Sequence, residues 1–252
     1  MLALLLAAPA NALTPATLAR VDASPITGAA LPLDAAFHDE RGRAVTLRDY
    51  FGARPAIVVL GYYGCSNLCS LVLRGVREAL DGASLQAGRD VDVVVVSIAA
   101  QETPAMAAAK MRDILGASDA RGWHFLTGSQ PAIDAVTRAL DYRYAWDASA
   151  GQYAHAAGIT LADAQGRVRA TLPGIAYSSA ALRAQLAPGG SPRALAAGGS
   201  SRAHVPWQLC FGFDPQTGRY TGAVTTAVRI TALAALCALL ACVLVARRRQ
   251  AT

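Results

Sequence analysis

Cys65 and Cys69 are the residues whose types and spacing point most directly to chemistry. They stand four positions apart, so on a helix both side chains project from one face and both sulfurs can reach the same point in space. Two thiols at one point hold a metal ion or form a disulfide bond. The alternative is that both are small apolar core residues, which is a frequent role of cysteine.

The residues around this pair predict a strand that leads into a helix. The run Ala56–Leu60 is short and apolar throughout, as in a strand buried on both faces of a sheet. Ser66 or Asn67 can cap the helix that follows. The start of a helix lowers the pKa of a nearby thiol and favours the thiolate, which is the form that binds metals. The apolar residues at helical spacing are Leu68, Leu71, Val72, Val76 and Leu80.

A third ligand must come from elsewhere, because two thiolates alone rarely complete a transition-metal site and the third ligand is most often histidine. His155 immediately precedes a predicted core strand, and loops at strand ends often carry site residues. His38 on an outer hairpin and His124 in a short strand are more typical of surface and core histidines. His204 lies in the C-terminal tail. We therefore take His155 as the candidate third ligand.

The elements that would position these residues follow a mixed α/β order. Strands are predicted at 56–60, 91–98, 123–127, 142–146, 158–162 and 167–172, and helices from Leu68 onward and at 104–115, 130–140 and 178–186. A hairpin within 33–47 precedes them. We expect the strand at 91–98 to be central and parallel to the one at 56–60, since a helix separates the two. The order predicts a thioredoxin-like layered domain at 33–187.

The N-terminal residues predict export from the cytoplasm. Residues 1–12 are apolar and end in Ala10-Asn11-Ala12, a small-x-small pattern that signal peptidase accepts, so we predict a signal peptide there. Residues 13–32 are rich in Pro, Ala and Thr and predict an extended leader with little structure. An exported location permits a disulfide between Cys65 and Cys69.

The C-terminal residues predict a membrane anchor. Residues 230–246 are 17 residues without a charge, which predicts one transmembrane helix. Residues 188–229 form a linker and a juxtamembrane segment, and the basic tail 247–252 would stay cytoplasmic. The main domain would therefore face the periplasm from a bacterial inner membrane. The net charge of +6 partly reflects the arginines of the tail, and no basic cluster indicates nucleic-acid binding.

Taken together, the motifs resemble those of the Sco/SenC family of copper-binding thioredoxin-fold proteins. The resemblance rests on Gly61-Tyr62-Tyr63-x-Cys65-x3-Cys69, on Phe125-Leu126-Thr127-Gly128, and on a single histidine before a strand that closes in Asp163-x-x-Gly166. It extends from about Leu33 to about Leu186.

This resemblance implies a copper metallochaperone rather than an enzyme. Cys65, Cys69 and His155 would bind Cu(I) or Cu(II), and the two cysteines would also form a redox disulfide. The protein would assist assembly of the CuA site of cytochrome c oxidase. The implied partners are the oxidase subunit that carries CuA, other periplasmic copper chaperones or thiol reductants, and the inner membrane.

The chain departs from the family pattern at two places. Ser66 and Ser70 stand where prolines usually follow the cysteines. The loop after the central strand reads Ala99-Ala100 where the family commonly has aspartate and proline, so we expect one charge fewer at the edge of the site.

Two other functions stay open on the sequence alone. A structural zinc site would need a fourth protein ligand, which Cys210 or Asp163 could provide. A thiol-disulfide oxidoreductase would reduce the oxidase-subunit cysteines through Cys65 and Cys69 without carrying metal. Such enzymes typically use Cys-x-x-Cys, whereas this chain has Cys-x3-Cys.

Overall fold

Strands and helices alternate along most of the chain in the computed structural model, which describes residues 21–23, 27–65, 68–116, 120–148, 151–187, 213–214, 219–220 and 229–236. The strands are β1 Asp22–Ala23, β2 Ala36–His38, β3 Ala44–Thr46, β4 Ala56–Gly61, β5 Asp92–Ser97, β6 Trp123–Leu126, β7 Tyr142–Arg143, β8 Ala145–Asp147, β9 Gln152–Ala154, β10 Gly158–Ala162, β11 Val168–Pro173, β12 Phe213–Asp214 and β13 Arg219–Tyr220. The helices are α1 Leu68–Gly82, α2 Pro104–Leu115, α3 Gln130–Ala139 and α4 Ser179–Leu186, with a short 3-10 helix at Leu47–Tyr50.

A five-stranded sheet in the order β11-β10-β4-β5-β6 forms the centre of the domain. β4, β5 and β6 run parallel, whereas β10 is antiparallel to β4 and β11 is antiparallel to β10. Every residue of β4 and β5 is buried, which explains their continuous apolar runs, since neither face of these strands meets solvent. The predicted α/β architecture and the parallel central strand are confirmed.

Helix α1 carries the second cysteine and packs one face on the core. Val72, Val76 and Leu80 are buried at helical spacing. Leu71, which the sequence pattern assigned to the same apolar face, is 45% exposed, so that assignment was wrong. The predicted caps, Ser66 and Asn67, lie outside the described residues.

The leader packs on the domain at residues 27–32, and the prediction that it has little structure was wrong there. The Gly28 N–H donates to the Val168 carbonyl (2.7 Å), and the Leu31 N–H donates to the Gly166 carbonyl (2.9 Å). Leu31 is 5% exposed. Further upstream, β1 pairs with β7. Composition did not reveal this docking because it depends on backbone groups that the edge strand β11 offers to a neighbour.

The segment predicted as one strand at 142–146 forms two short strands. β7 pairs with β1, while β8 pairs with β9 in a separate hairpin. The break between them at Tyr144 directs the two halves to different partners. The β8–β9 hairpin leads directly into the loop that contains His155.

Several predicted segments fall outside the described residues, namely the signal peptide at 1–12, most of the linker at 188–229 and the basic tail at 247–252. Within the linker region, β12 and β13 pair antiparallel. Residues 229–236 are helical and include the start of the predicted transmembrane segment. Across the described parts of the chain, no helix has both the length and the apolar character needed to cross a membrane.

A buried carboxylate joins the loops that follow β4 and β5. Glu102 is 8% exposed and accepts hydrogen bonds from the N–H groups of Tyr63 (2.8 Å) and Gly64 (2.6 Å). It also accepts one from the Ser97 hydroxyl (2.6 Å). Short hydrogen bonds of this kind offset the cost of burying a carboxylate. Glu102 therefore holds the segment just before Cys65 against the end of β5.

The substitution Glu102→Ala is expected to lower the free energy of unfolding by about 2–3 kcal/mol, because buried donors would lose their acceptor. Denaturant unfolding of the full chain measures the change. Glu78→Ala, at an exposed position of α1, is the matched control and should change the free energy by less than about 0.5 kcal/mol. Equal effects of the two substitutions would contradict a role for Glu102 in holding the loop.

Candidate metal centre

The structure brings Cys65, Cys69 and His155 together. The two sulfurs and one ring nitrogen of His155 all lie within 4.8 Å of one another. Among the described residues, no other group of three or more histidine, cysteine, aspartate or glutamate side chains comes close enough together to hold a metal ion. The three side chains are 4%, 7% and 2% exposed, respectively. The sulfurs are not joined in a disulfide.

Three different elements supply these side chains. Cys65 lies in the loop after β4, Cys69 lies in the first turn of α1, and His155 lies between β9 and β10. Because β10 runs antiparallel to β4, with Thr160 opposite Val58, the chain enters β10 at the same end at which it leaves β4. The sheet therefore aligns the histidine loop with the cysteine loop.

Close packing at the end of β4 leaves little space around the sulfurs. A Cβ atom at Gly61 would lie 3.4 Å from the Cys69 sulfur, already in van der Waals contact with it. A cavity of about 10 Å³ lies beside Cys69 and His155, room for about one water molecule. The pocket beside the proposed donors is thus narrow.

Hydrogen bonds orient the His155 ring. Its Nε2 atom lies 3.3 Å from the Cys69 sulfur. On the other side of the ring, Nδ1 lies 2.7 Å from the Tyr142 hydroxyl and 3.0 Å from the Ala156 carbonyl oxygen. The ring therefore directs Nε2 toward the thiols.

Aromatic rings enclose the same site. The Tyr62 ring centroid lies 5.8 Å from that of His155 and 5.4 Å from that of Tyr153, both in edge-on geometry. Burial above all, followed by the nearby Cys65 and Cys69 groups, raises the pKa of Tyr62 well above its usual value. Tyr62 therefore remains a neutral phenol and keeps this wall of the site weakly polar.

A lysine on α2 faces the cysteine loop. The Lys110 ammonium donates to the Ser70 hydroxyl (3.2 Å) and to the Cys65 carbonyl (3.4 Å). These contacts tie α2 to the loop and helix turn that carry the two cysteines. Ser70, which stands where the family usually has proline, here helps to hold that charge in place.

Sequence analysis missed Glu102, Tyr142 and Lys110. Ala99 and Ala100 carry no charge, as noted from the sequence, but the same loop supplies the Glu102 carboxylate, which lies 2.6 Å from the Gly64 nitrogen. Glu102 could have been found, since it directly precedes the helix-opening residues Thr103-Pro104. Tyr142 and Lys110 gave no local signal, because their contacts reach across 13 and 45 residues of sequence.

The other candidate ligands do not join this cluster in the described structure. The His124 ring packs against that of Tyr50 in a tilted geometry, with 4.4 Å between the ring centroids. Its Nε2 atom lies 3.6 Å from an Asp92 carboxylate oxygen, near the opposite end of the parallel strands. His38 is exposed on β2.

Asp163 accepts backbone hydrogen bonds within the β10–β11 turn, at the end of β10 away from His155, so the expectation that it could be a fourth ligand was wrong. Cys210 and His204 lie outside the described residues.

Comparison with solved structures shows the fold. A proposed electron transfer protein from Aquifex aeolicus VF5 matches at 16% identity over 71% of this chain and 100% of its own, with a TM-score of 0.59. Arabidopsis thaliana ScoI with copper bound matches at 18% identity over 63% of this chain and 94% of its own (TM-score 0.51). A SCO1/SenC family lipoprotein from Bacillus anthracis str. Ames matches at 18% identity over 63% and 88% (TM-score 0.50). The predicted thioredoxin-like fold is thereby confirmed for the main domain.

The sequence itself identifies the family. No curated protein sequence matches the chain significantly. The family model for SCO1/SenC, however, matches residues 29–187, which is more than half of the 252 residues and includes the cysteine pair and His155. The chain therefore belongs to the SCO1/SenC family.

Proposed function

We propose that this protein is a copper metallochaperone that carries Cu(I) or Cu(II) on Cys65, Cys69 and His155 and assists assembly of the CuA site of cytochrome c oxidase. The observation that carries the proposal is the convergence of these three donors within 4.8 Å. Family membership supports it, as does the copper bound in the Arabidopsis ScoI structure. In this proposal the protein is a carrier rather than an enzyme, and copper is its cargo.

The donor set fits copper. Thiolates are soft ligands that select Cu(I), and imidazole is a common copper ligand. Structural zinc usually takes four protein ligands, whereas the cluster among the described residues offers three. If zinc distances of about 2.0 Å to nitrogen and 2.3 Å to sulfur are taken as a guide, two donors of one metal are at most ~4.6 Å apart. The three ligand atoms all lie within 4.8 Å of one another, so a small movement of the donors would bring them to the distances of a bound ion.

Three protein donors also suit a cargo that must be released. A ligand from a partner can bind the metal as a fourth donor before a protein donor leaves, so the metal is never exposed as a bare ion. The hydrogen bonds of Lys110 to the Cys65 carbonyl and the Ser70 hydroxyl help to hold the cysteine loop in place. The burial of all three donors keeps competing water away until a partner approaches.

The same cysteines support a second candidate function, thiol-disulfide exchange. The two sulfurs lie within the 4.8 Å group and belong to residues four apart, so an internal disulfide is within reach of a small movement. Two thiols of this protein would be oxidised to a disulfide while one disulfide of the oxidase subunit is reduced to two thiols. A periplasmic thiol reductant would then restore the pair.

We further propose that the domain at 33–187 faces the periplasm from the inner membrane. The uncharged stretch 230–246 would be its single-pass anchor, after the linker and juxtamembrane segment at 188–229, and residues 1–12 would be its export signal. The exposed apolar side chains of Ile230, Leu233 and Leu236 in the described helical turns suit a lipid environment. That the Bacillus anthracis relative is a lipoprotein is consistent with membrane attachment.

The substitution His155→Ala should weaken Cu(II) binding by more than the roughly 10- to 100-fold loss that follows removal of outer-shell partners, because it removes a direct donor. Competition titration of the reduced full chain measures the affinity. His38→Ala, which removes an exposed histidine, is the matched control. Unchanged affinity in His155→Ala would exclude His155 as a ligand.

Oxidation of Cys65 and Cys69 in the full chain to a disulfide should abolish copper binding, because a disulfide has no thiolate to bind the metal. Reduction of the disulfide should restore copper binding. Metal analysis of the two forms after gel filtration gives the result. Cys69→Ser should bind little copper in either form. Equal copper content in the oxidised and reduced wild-type protein would contradict a site built on both sulfurs.

Deletion of residues 230–252 should release the protein from membranes, because about 20 apolar residues are what hold a single-pass anchor in the bilayer. The measurement is membrane fractionation with alkaline extraction. The control is the full chain with Arg247, Arg248 and Arg249 replaced by lysines, which keeps the apolar stretch. A full chain that alkaline treatment extracts as readily as the truncated one would exclude the anchor.

A further inference from the structure

The two nitrogens of His155 face different groups. Nε2 lies 3.3 Å from the Cys69 sulfur, toward the proposed metal position. Nδ1 lies 2.7 Å from the Tyr142 hydroxyl and 3.0 Å from the Ala156 carbonyl oxygen. Because a carbonyl oxygen can only accept, the surroundings of Nδ1 favour a proton on that nitrogen.

A metal-binding imidazole needs this arrangement. The ring must be neutral, with a lone pair on the coordinating nitrogen and its single N–H on the other. The hydrogen bond made by the second nitrogen selects the tautomer and fixes the plane of the ring. If the proton sat on Nε2, it would point at the Cys69 sulfur and occupy the lone pair that a metal needs.

The Tyr142 hydroxyl has suitable partners for its own proton. It lies 2.8 Å from the Ala156 carbonyl oxygen and 3.3 Å from the Leu60 carbonyl oxygen. A phenol carries one proton and can both donate and accept. When that proton goes to a carbonyl, the oxygen lone pair is left to accept from the Nδ1–H of His155.

We propose that Tyr142 is a positioning residue that holds His155 in the Nδ1–H tautomer, with Nε2 directed at the two thiols. The proposal rests on the proposed function for its purpose, but the tautomer is a property of the protein without metal. Tyr142 is well placed for the role, since its strand β7 pairs with β1 and its hydroxyl reaches Leu60 at the end of β4. One hydroxyl thus links the sheet, the histidine loop and the imidazole.

The experiment compares the full-length protein with Tyr142→Phe, which keeps the ring and removes the hydroxyl. Long-range proton–nitrogen NMR of reduced, metal-free, histidine-labelled protein assigns the proton on the ring of His155. In the wild type we expect Nδ1 protonated and Nε2 bare. In Tyr142→Phe we expect a mixture of both tautomers and a loss of Cu(II) affinity of about 10- to 100-fold, the usual effect of removing an outer-shell partner.

The matched control is Tyr144→Phe. The Tyr144 hydroxyl accepts a hydrogen bond from the Gln130 side-chain amide (2.9 Å) instead of contacting His155. It should keep the wild-type tautomer and affinity. A wild-type His155 with its proton on Nε2, or a Tyr142→Phe protein with an unchanged tautomer, would overturn the proposal.

The failure of this proposal and the failure of the proposed function give different results. If His155→Ala binds copper normally while Tyr142→Phe shifts the tautomer, the proposed copper site with His155 as a ligand is wrong and the positioning role stands. If His155→Ala loses copper but Tyr142→Phe changes neither tautomer nor affinity, the function stands and the positioning role is wrong.

Discussion

The antiparallel pairing of β10 with β4 is the constraint on which the site depends. Cys69 and His155 are 86 residues apart in sequence, and their side chains meet because β4 ends where β10 begins. The pairing lies in the interior of the five-stranded sheet and nearly all residues of both strands are buried, so a shift of register would disrupt their packing on both faces. The position of the imidazole relative to the sulfurs is thus set by the closely packed interior of the sheet.

Around this pairing, each buried polar group near the site has a partner that also positions it. Glu102 is buried but accepts three hydrogen bonds, two of them from the backbone just before Cys65. His155 is buried but is bonded on both nitrogens. Because an unsatisfied buried polar group costs more than its hydrogen bond contributes, the network favours one arrangement of donors. The site is therefore ordered before a metal arrives.

The sequence predicted the elements that local patterns encode, and missed those that depend on long-range contacts. The apolar run at 56–60 and the cysteine spacing predicted β4 and α1, and the loop before a core strand singled out His155. Docking of the leader on β11 depends on an edge that no local pattern reveals. The contacts of Tyr142 and Lys110 with the site depend on tertiary packing in the same way. The Glu102 charge was not predicted because it lies two residues beyond Ala99-Ala100, the positions at which the family pattern places aspartate and proline.

X-ray absorption spectroscopy of the copper-loaded, reduced full-length protein tests the central claim most directly, because it identifies the atoms bound to the metal. The account predicts a first shell of two sulfurs and one nitrogen, with the outer-shell scattering that an imidazole ring produces. A shell of sulfur alone, or one of only nitrogen and oxygen, would contradict a site made by Cys65, Cys69 and His155.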